Sequence, residues 1–360
     1  MFSMRNSKQS VALKIAALSV ATFALAACAP TAGPTAEPEP TPVYVTAPLT
    51  GMQYLEGSAE ASTLSRPSVA CKIDNSEAAR PQLGLNRTGI VFVEMVEGGL
   101  TRLVALWHST QPTAVGPVRS IRPMDPDILS PFGGIVCYSG GQAVFVNMMR
   151  NTNVFNASET TEQDKGTFSR SKDRYAPHNV IVDVDKLAAA HPEIAAPGVQ
   201  FGFANSLANS TAALTGTSVS DIKVYFPLAL SQWAPNADAT RFMRTQDGES
   251  HTDAADGTQI SAANVVIMTV TIDRSYLGGK YSKVPKTNLI GTGQAQVCSA
   301  GKCVSATWAK TGQTAPLTLT DAAGNPVLLA PGNTWVELMA ASPEGRLAIT
   351  AKPTPTATPN

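Results

Sequence analysis

The sequence is poor in charge and has no excess of either sign. Only 15% of its 360 residues are charged, with 27 acidic against 27 basic side chains, whereas an average globular protein has roughly 25%. Lys and Arg form no stripe along the chain, and no acidic tail is present. Nucleic acid is therefore not expected as a partner.

Familiar catalytic and cofactor motifs are also missing. The four histidines are scattered and no C-x-x-C pair occurs, although zinc sites commonly use such spacing. The chain has no G-x-S-x-G nucleophile turn, no phosphate loop and no dinucleotide-binding fingerprint. We therefore predict no metal and no cofactor.

Long apolar runs are absent except at the amino terminus. Residues 15–27 are apolar or small and follow three basic residues, which is the pattern of a signal peptide over residues 1–27 and is too short for a transmembrane helix. The run ends in Leu25-Ala26-Ala27-Cys28, the form of a lipobox. We predict that Cys28 carries a lipid anchor, which holds the chain at the extracytoplasmic face of the cell membrane. The alternative is an ordinary secreted protein, cleaved at an A-x-A-like site.

Four cysteines remain after Cys28. An exported chain meets an oxidising compartment, so these thiols are expected to pair, and three connectivities are open to them. Cys298 and Cys303 flank a turn-like Ser-Ala-Gly-Lys tetrapeptide, while Cys71 and Cys137 lie in two apolar, strand-like segments. We favour Cys71 with Cys137 and Cys298 with Cys303 over the alternative of a zinc site.

Composition divides the chain into segments. Residues 28–48 are rich in Pro, Thr and Ala, which is typical of a solvated tether. We predict a signal peptide at 1–27, a tether at 28–48, an α+β domain at 49–190, a connection at 191–219, a β domain at 220–342 and a disordered tail at 343–360. The fold class is α+β, and the second domain is expected to be a mainly antiparallel small barrel or sandwich.

The first half contains a predicted β-hairpin. Two β-rich runs, 90–97 and 100–107, flank Gly98-Gly99, a pair suited to a two-residue turn. Such a turn places Met95 opposite Arg102, puts Glu97 and Arg102 on one face, and sends Glu94 to the other. Both faces are otherwise apolar, so we expect the hairpin to be buried on both sides. Helical patterns are expected over 142–150 and after a short strand in 181–190.

The second half consists of short β-type runs separated by turn signals. The predicted strands are 222–226, 265–271, 304–308, 326–329 and 334–338. The segment from about 191 to 219 is rich in Ala, Ser, Asn and Gly, which favours an irregular connection.

Several motifs together resemble a known family. They are Pro48-Leu49-Thr50-Gly51, Asp74-Asn75, Ala79-Arg80-Pro81-Gln82, Val96 to Arg102, Gly116 to Ser120, Arg122-Pro123 and Ala176-Pro177-His178-Asn179, followed by looser ones such as Asp247-Gly248, Thr307-Trp308 and Gly332 to Trp335. With these the chain resembles the YerB-type bacterial lipoproteins over roughly residues 48–342. That family's domain has no settled function, so the resemblance implies a two-part lipoprotein and no particular activity. This chain departs from the pattern in having cysteine at positions 71 and 137.

The polar residues of these motifs define a candidate cleft. Its members are Asp74, Arg80, Glu97, Arg102, Arg119, Arg122, His178 and Asn179. Converging arginines offer planar, bidentate donors that suit a carboxylate or a phosphate. We expect a cleft that binds a cell-wall component such as peptidoglycan, or an envelope protein. The alternative is an ion-pair network that only braces the sheet, in which Glu97 pairs with Arg102 and Asp74 pairs with Arg80 or Arg119.

Two other functions stay open. Glu97 and Asp74 are candidate catalytic carboxyls of an enzyme that cleaves cell-wall glycan, since glycosidic cleavage usually requires two carboxyl groups on either side of the bond. A solute-binding lipoprotein is a further alternative, although that class expects two α/β lobes with parallel sheets.

Overall fold

The computed structural model describes residues 41–353, so the predicted signal peptide and Cys28 lie outside the described residues. Its helices are α1 (Ala59–Ser62), α2 (Asp125–Leu129), α3 (Ala143–Arg150), α4 (Val184–Ala189) and α5 (Thr211–Thr215). The strands of the first half are β1 (Tyr44–Thr46), β2 (Gln53–Leu55), β3 (Val69–Asp74), β4 (Ile90–Met95), β5 (Thr101–Trp107), β6 (Ile135–Tyr138), β7 (Phe155–Ser158), β8 (Phe168–Arg170) and β9 (Val180–Val182).

The second half is almost entirely β-structure. Its strands are β10 (Thr217–Phe226), β11 (Ala229–Pro235), β12 (Phe242–Gln246), β13 (Glu249–Ser250), β14 (Ser261–Ala262), β15 (Asn264–Asp273), β16 (Lys286–Asn288), β17 (Gly291–Ser299), β18 (Lys302–Lys310), β19 (Thr318–Thr320), β20 (Thr334–Ala340) and β21 (Arg346–Ala351). The fold class is α+β with a predominance of strands, as the sequence predicted.

A central mixed sheet runs through both halves of the chain. Its strand order is β7-β6-β3-β5-β4-β20-β15-β17-β18-β19. The junction is the parallel pairing of β4 with β20, in which Thr334 lies beside Ile90 and Glu337 beside Val93. The two halves therefore share one sheet.

A second, antiparallel sheet packs against the central one. It contains β21, β10, β11 and β12, with the short β13 and β14 beside β12. Strand β10 belongs to both sheets, because Thr217 and Ser218 pair with β18 before the strand continues along β21.

Alternating side chains bury the central sheet on both faces. In β4, Val91 and Val93 point into a core shared with Val224 and Trp233 of the second sheet. Their neighbours Ile90 and Phe92 point the other way, into a core formed with helices α2 and α3. Every residue of β4 and β5 is buried, which confirms the prediction of a two-sided hairpin.

The hairpin register differs by one residue from the predicted one. The turn is a single 3-10 turn, Glu97–Gly99, in which Gly98 and Gly99 have φ of 72° and 77°. Because three residues rather than two form the turn, Met95 pairs with Thr101 and Glu94 pairs with Arg102. The prediction that Glu94 faces away from Arg102 was therefore wrong.

Three predicted boundaries and one predicted strand need correction. The folded part begins before residue 49, since β1 pairs with β2. The predicted tail contains β21, which pairs with β10 because Leu347 and Ile349 pack on the core. The predicted connection 191–219 holds helix α5 and the start of β10. Residues 326–329 form two isolated bridges, through Pro326 and Leu329, rather than a strand.

Both cysteine pairs join neighbouring strands. Cys71 on β3 bonds Cys137 on the parallel β6, and Cys298 on β17 bonds Cys303 on β18 across a tight turn. These are the two pairs that the sequence favoured. In the second pair Ala300 and Gly301 both have positive φ, as a primed hairpin turn requires.

Candidate functional site

Three ionisable side chains form a row across the central sheet. Asp74 at the end of β3 lies opposite Arg102 on β5, and Arg102 lies opposite Glu94 on β4. Residues directly opposite each other on adjacent strands project to the same face. The row therefore places Asp74, Arg102 and Glu94 on one face of the sheet, at the end where β3 finishes.

Asp74 is the centre of a fixed ion-pair cluster. Its Oδ2 lies 2.6 Å from His178 Nδ1 and 3.0 Å from Arg119 Nε, and its Oδ1 accepts the backbone N–H of Ser76 at 3.0 Å. Although burial raises the pKa of this carboxyl, the Ser76 N–H, His178 and Arg119 together hold it below its usual value. His178 thus has Nδ1 occupied by Asp74, which leaves Nε2 as its available ring nitrogen.

Glu97 is paired with Arg122 rather than with the predicted Arg102. Arg122 Nε lies 2.8 Å from Glu97 Oε2, and Arg122 Nη1 donates to the carbonyl of Ile121 at 2.9 Å. Burial raises the pKa of Glu97, but Arg122 outweighs it and the net pKa is lowered. Glu97 is therefore ionised at neutral pH.

Arg102 is the least compensated charge of the site. Its side chain donates from Nη1 to the carbonyl of Ser120 at 3.1 Å, and among residues 41–353 no carboxylate oxygen lies within 4.0 Å of its guanidinium. Only 8% of the residue is exposed. Burial and the positive charges of Arg122 and Arg119 lower its pKa to about 10.

Glu94 in this row also belongs to a buried triad of charged residues with Lys72 and Asp125. Lys72 on β3 contacts Glu94 Oε1 and lies 2.7 Å from Asp125 Oδ1, and none of the three side chains is exposed. Asp125 Oδ2 also accepts the backbone N–H of Arg122 at 2.5 Å. Burial, together with the charge of Asp125, raises the pKa of Glu94 to about 8. The ammonium of Lys72 lies between the carboxyl groups of Glu94 and Asp125.

Two of the predicted cleft residues have partners elsewhere. Arg80 Nη2 lies 3.0 Å from Asp247 Oδ2, so it ties the first half to the second instead of pairing with Asp74. Asn179 accepts from Arg170 at 3.0 Å. The structure brings together Asp74, Glu97, Arg102, Arg119, Arg122 and His178, and it adds Lys72, Glu94 and Asp125.

A second buried polar network lies between the halves. Arg244 sits against the rings of Trp233 and Trp335, at 5.5 and 4.8 Å from their centroids, and donates to His251 Nδ1. Since a guanidinium only donates, Nδ1 accepts and His251 Nε2 donates to Gln82 Oε1 at 2.6 Å. Burial and Arg244 hold the pKa of His251 well below its usual value. This network is structural, since it is sealed from solvent.

The sequence predicted most residues of the cluster but did not predict the buried residues Lys72, Glu94 and Asp125 beside it. Lys72 and Glu94 each have apolar neighbours on both sides in their strands, and a charge in such a place must find a partner. That signal was available for both residues. Asp125 lies in a loop-to-helix segment with no periodic pattern, so nothing in the sequence placed it beside Lys72.

Neither a metal cluster nor a spanning helix occurs in the described part of the chain. Within residues 41–353 no three His, Cys, Asp or Glu side chains converge as metal ligands. No helix in the same range has the length and apolarity to cross a membrane.

The fold defines a class: a mainly β, α+β protein whose two halves share a sheet, with a cluster of arginines and carboxyl groups at one end of that sheet. The chain belongs to the DUF3048 family. Residues 49–196 match "Protein of unknown function (DUF3048) N-terminal domain" and residues 222–336 match the corresponding C-terminal domain.

A sequence comparison and a structural comparison with the YerB protein of Bacillus subtilis agree with this assignment. The chain is 37% identical over 94 residues to "Putative lipoprotein YerB" of strain 168, a match that covers 26% of this chain and 27% of that protein. The crystal structure of YerB protein from Bacillus subtilis superposes with a TM-score of 0.71 at 21% identity, covering 84% of this chain and 99% of that one. At this identity the structural likeness shows the shared fold.

Proposed function

We propose that this chain is a lipoprotein of the cell envelope that binds an anionic group of a cell-wall component or envelope protein through Arg102, Arg119 and Arg122. In this proposal Cys28 carries the lipid anchor and the folded part faces outward from the membrane. The observation that carries the binding role is Arg102, a nearly buried guanidinium with only a carbonyl as its described partner.

Charge balance supports an anion as the ligand. Arg119 pairs with Asp74 and Arg122 pairs with Glu97, whereas the third guanidinium, that of Arg102, donates only to the carbonyl of Ser120. Arg102 thus holds a nearly buried guanidinium that has no ion-pair partner among residues 41–353. A bound carboxylate or phosphate would supply the missing charge through the planar donor pair of Arg102.

The glycan-cleaving alternative has weaker support. Glycosidases need one carboxyl whose pKa is raised so that it can donate a proton. Here the pKa of Asp74 and that of Glu97 are both lowered, and each carboxylate is engaged by an arginine. The mixed sheet shared by the two halves likewise disfavours the two-lobed solute-binding class. Binding without catalysis is the function that this geometry favours.

The test is binding of the full chain, in detergent, to purified cell-wall fragments that retain their anionic polymers. Arg102→Gln should weaken binding at least about tenfold, because one charge-assisted contact is lost. The matched control is Arg87→Gln, which removes one positive charge from an exposed arginine with no described ion pair. Unchanged binding by both Arg102→Gln and Arg119→Gln, with native circular dichroism, would overturn the proposal.

A further inference from the structure

We infer that the anionic ligand is an acidic sugar, and that its ring stacks on Tyr175 in a pocket beside His178. This inference rests on the proposed function, since it adds a sugar subsite to the arginine cleft. It concerns the loop between β8 and β9, in which no residue forms part of the core.

Tyr175 is an unusual surface residue. It is 91% exposed, the highest value among the large hydrophobic residues of the described chain. Its phenol ring presents an apolar face to water and a hydroxyl at its edge. This combination is typical of aromatic residues that contact ligands which are apolar on one side and wet on the other.

The loop that carries Tyr175 is fixed in place. Arg174 donates from Nη1 to the carbonyl of Ala79 at 2.9 Å and from Nη2 to the carbonyl of Pro81. The N–H of His178 donates to the carbonyl of Tyr175 at 2.8 Å, which closes the turn. The ring is thus presented by an ordered turn, so binding a ligand there does not require the loop to be ordered first.

A pocket of about 440 Å³ lies next to this ring. Its lining residues are Ala78, Arg80, Asp173, Arg174, Tyr175 and His178. The volume is within the range of small-ligand sites. Arg80 and His178 supply donors and Asp173 supplies an acceptor, which suits hydroxyl groups because they both donate and accept.

His178 connects this pocket to the arginine cleft. It lines the pocket, while its Nδ1 lies 2.6 Å from Asp74, which in turn pairs with Arg119. Because Arg119 also donates from Nη1 to the carbonyl of Pro177 in the same loop at 3.3 Å, a ring stacked on Tyr175 would have its acidic substituent directed towards Arg119. A sugar with a carboxylate attached through a short arm fits both parts, whereas a bare anion uses only the cleft.

The test uses three probes that separate the ring from the charge. N-acetylmuramic acid has both, N-acetylglucosamine has the ring without the carboxylate, and D-lactate has the carboxylate without the ring. Binding to the full chain in detergent is measured by calorimetry or ligand-observed NMR. We expect N-acetylmuramic acid to bind at least about tenfold more tightly than either partial probe.

Three variants assign the contact to Tyr175. Tyr175→Ala should weaken the binding of N-acetylmuramic acid about fivefold and leave the binding of D-lactate unchanged. Tyr175→Phe should keep the stacking contact and bind N-acetylmuramic acid within about twofold of the wild type. Tyr44→Ala removes another exposed tyrosine and is the matched control.

The outcomes distinguish this inference from the proposed function. If wall fragments bind through Arg102 but Tyr175→Ala binds N-acetylmuramic acid normally, or that sugar does not bind at all, the sugar subsite is wrong and the anion site stands. If neither Arg102→Gln nor Tyr175→Ala changes the binding of any probe or of the wall fragments, both the anion site and the sugar subsite are wrong.

Discussion

Glu94 is the residue whose ionisation matters most for the stability of the site. It is wholly buried beside Lys72 and Asp125, and Glu94 Oε2 has no hydrogen-bond partner among residues 41–353. Desolvation and the neighbouring Asp125 raise its pKa from an ordinary 4.5 to about 8 in the folded chain. The folded state therefore keeps a proton that the unfolded state releases.

This proton has a predictable effect on stability. The contribution of protonated Glu94 to the free energy of unfolding is fully present below about pH 4.5 and is lost as the pH rises through about 8. Relative to Glu94→Gln, the wild type should lose at least about 2 kcal/mol of unfolding free energy between pH 5 and pH 9. Urea unfolding across this range measures the difference, with the exposed Glu56→Gln as control. Parallel pH curves for wild type and Glu94→Gln would refute the assignment.

At the residue scale, the sequence predicted which charged residues cluster better than it predicted which of them form ion pairs. Arg119 and Asp74 meet, as one alternative expected, but Glu97 pairs with Arg122. The reason is the turn at Gly98-Gly99. A shift of one residue in a hairpin moves every side chain to the other face relative to its partner strand, and no local pattern distinguishes a two-residue turn from a three-residue turn here.

At the scale of elements, the pairing of β4 with β20 joins the two family segments. Strand β4 is the partner of both β5, within the first half, and β20, from the second half. Most strand positions were predictable, because runs such as 265–271 and 334–338 are rich in β-branched residues. The pairing of β4 with β20, which lie more than 230 residues apart, was not predictable. It depends on which sheet edges meet after each half has formed its core.

The shared sheet predicts cooperative unfolding. Leu103→Ala creates a cavity in β5, where Leu103 is wholly buried, and should lower the unfolding free energy of the entire chain by about 3 kcal/mol. Far-UV circular dichroism and tryptophan fluorescence should shift together as one transition, since three of the four tryptophans lie in the second half. The exposed Leu55→Ala is the control. Two separate phases, of which only one responds to Leu103→Ala, would contradict a joint fold.

Short elements were the least predictable. The run that forms β21 has only Leu347 and Ile349 as large apolar residues, and it lies next to a Pro- and Thr-rich end. Composition therefore favoured disorder. The strand forms because β10 offers an open edge on which these two side chains reach the core.

At the scale of the whole molecule, the predicted lipid anchor at the amino terminus would set the location of the proposed binding site. The predicted anchor at Cys28 is separated from the first strand, which begins at Tyr44, by a Pro- and Thr-rich segment. A lipid anchor so placed would leave the folded part free to reach the wall.

Anchoring is tested by metabolic labelling with palmitate in the bacterial host. The wild-type chain should incorporate label, and Cys28→Ala should incorporate none, because the thioether cannot form. The double variant Cys298→Ala/Cys303→Ala, which removes two other cysteines, should still be labelled. Equal labelling of wild type and Cys28→Ala, or none of either, would exclude the anchor.

The row formed by Asp74, Arg102 and Glu94 crosses three adjacent strands of the sheet that unites the molecule. A compound that binds Arg102 in this row binds the folded state alone, and at a hundredfold excess over its dissociation constant it adds about 2.7 kcal/mol to stability. Heat resistance can therefore serve as the assay when no activity is known. A collection of envelope metabolites could be ranked by melting temperature, and Arg102→Gln would show which hits occupy the cleft.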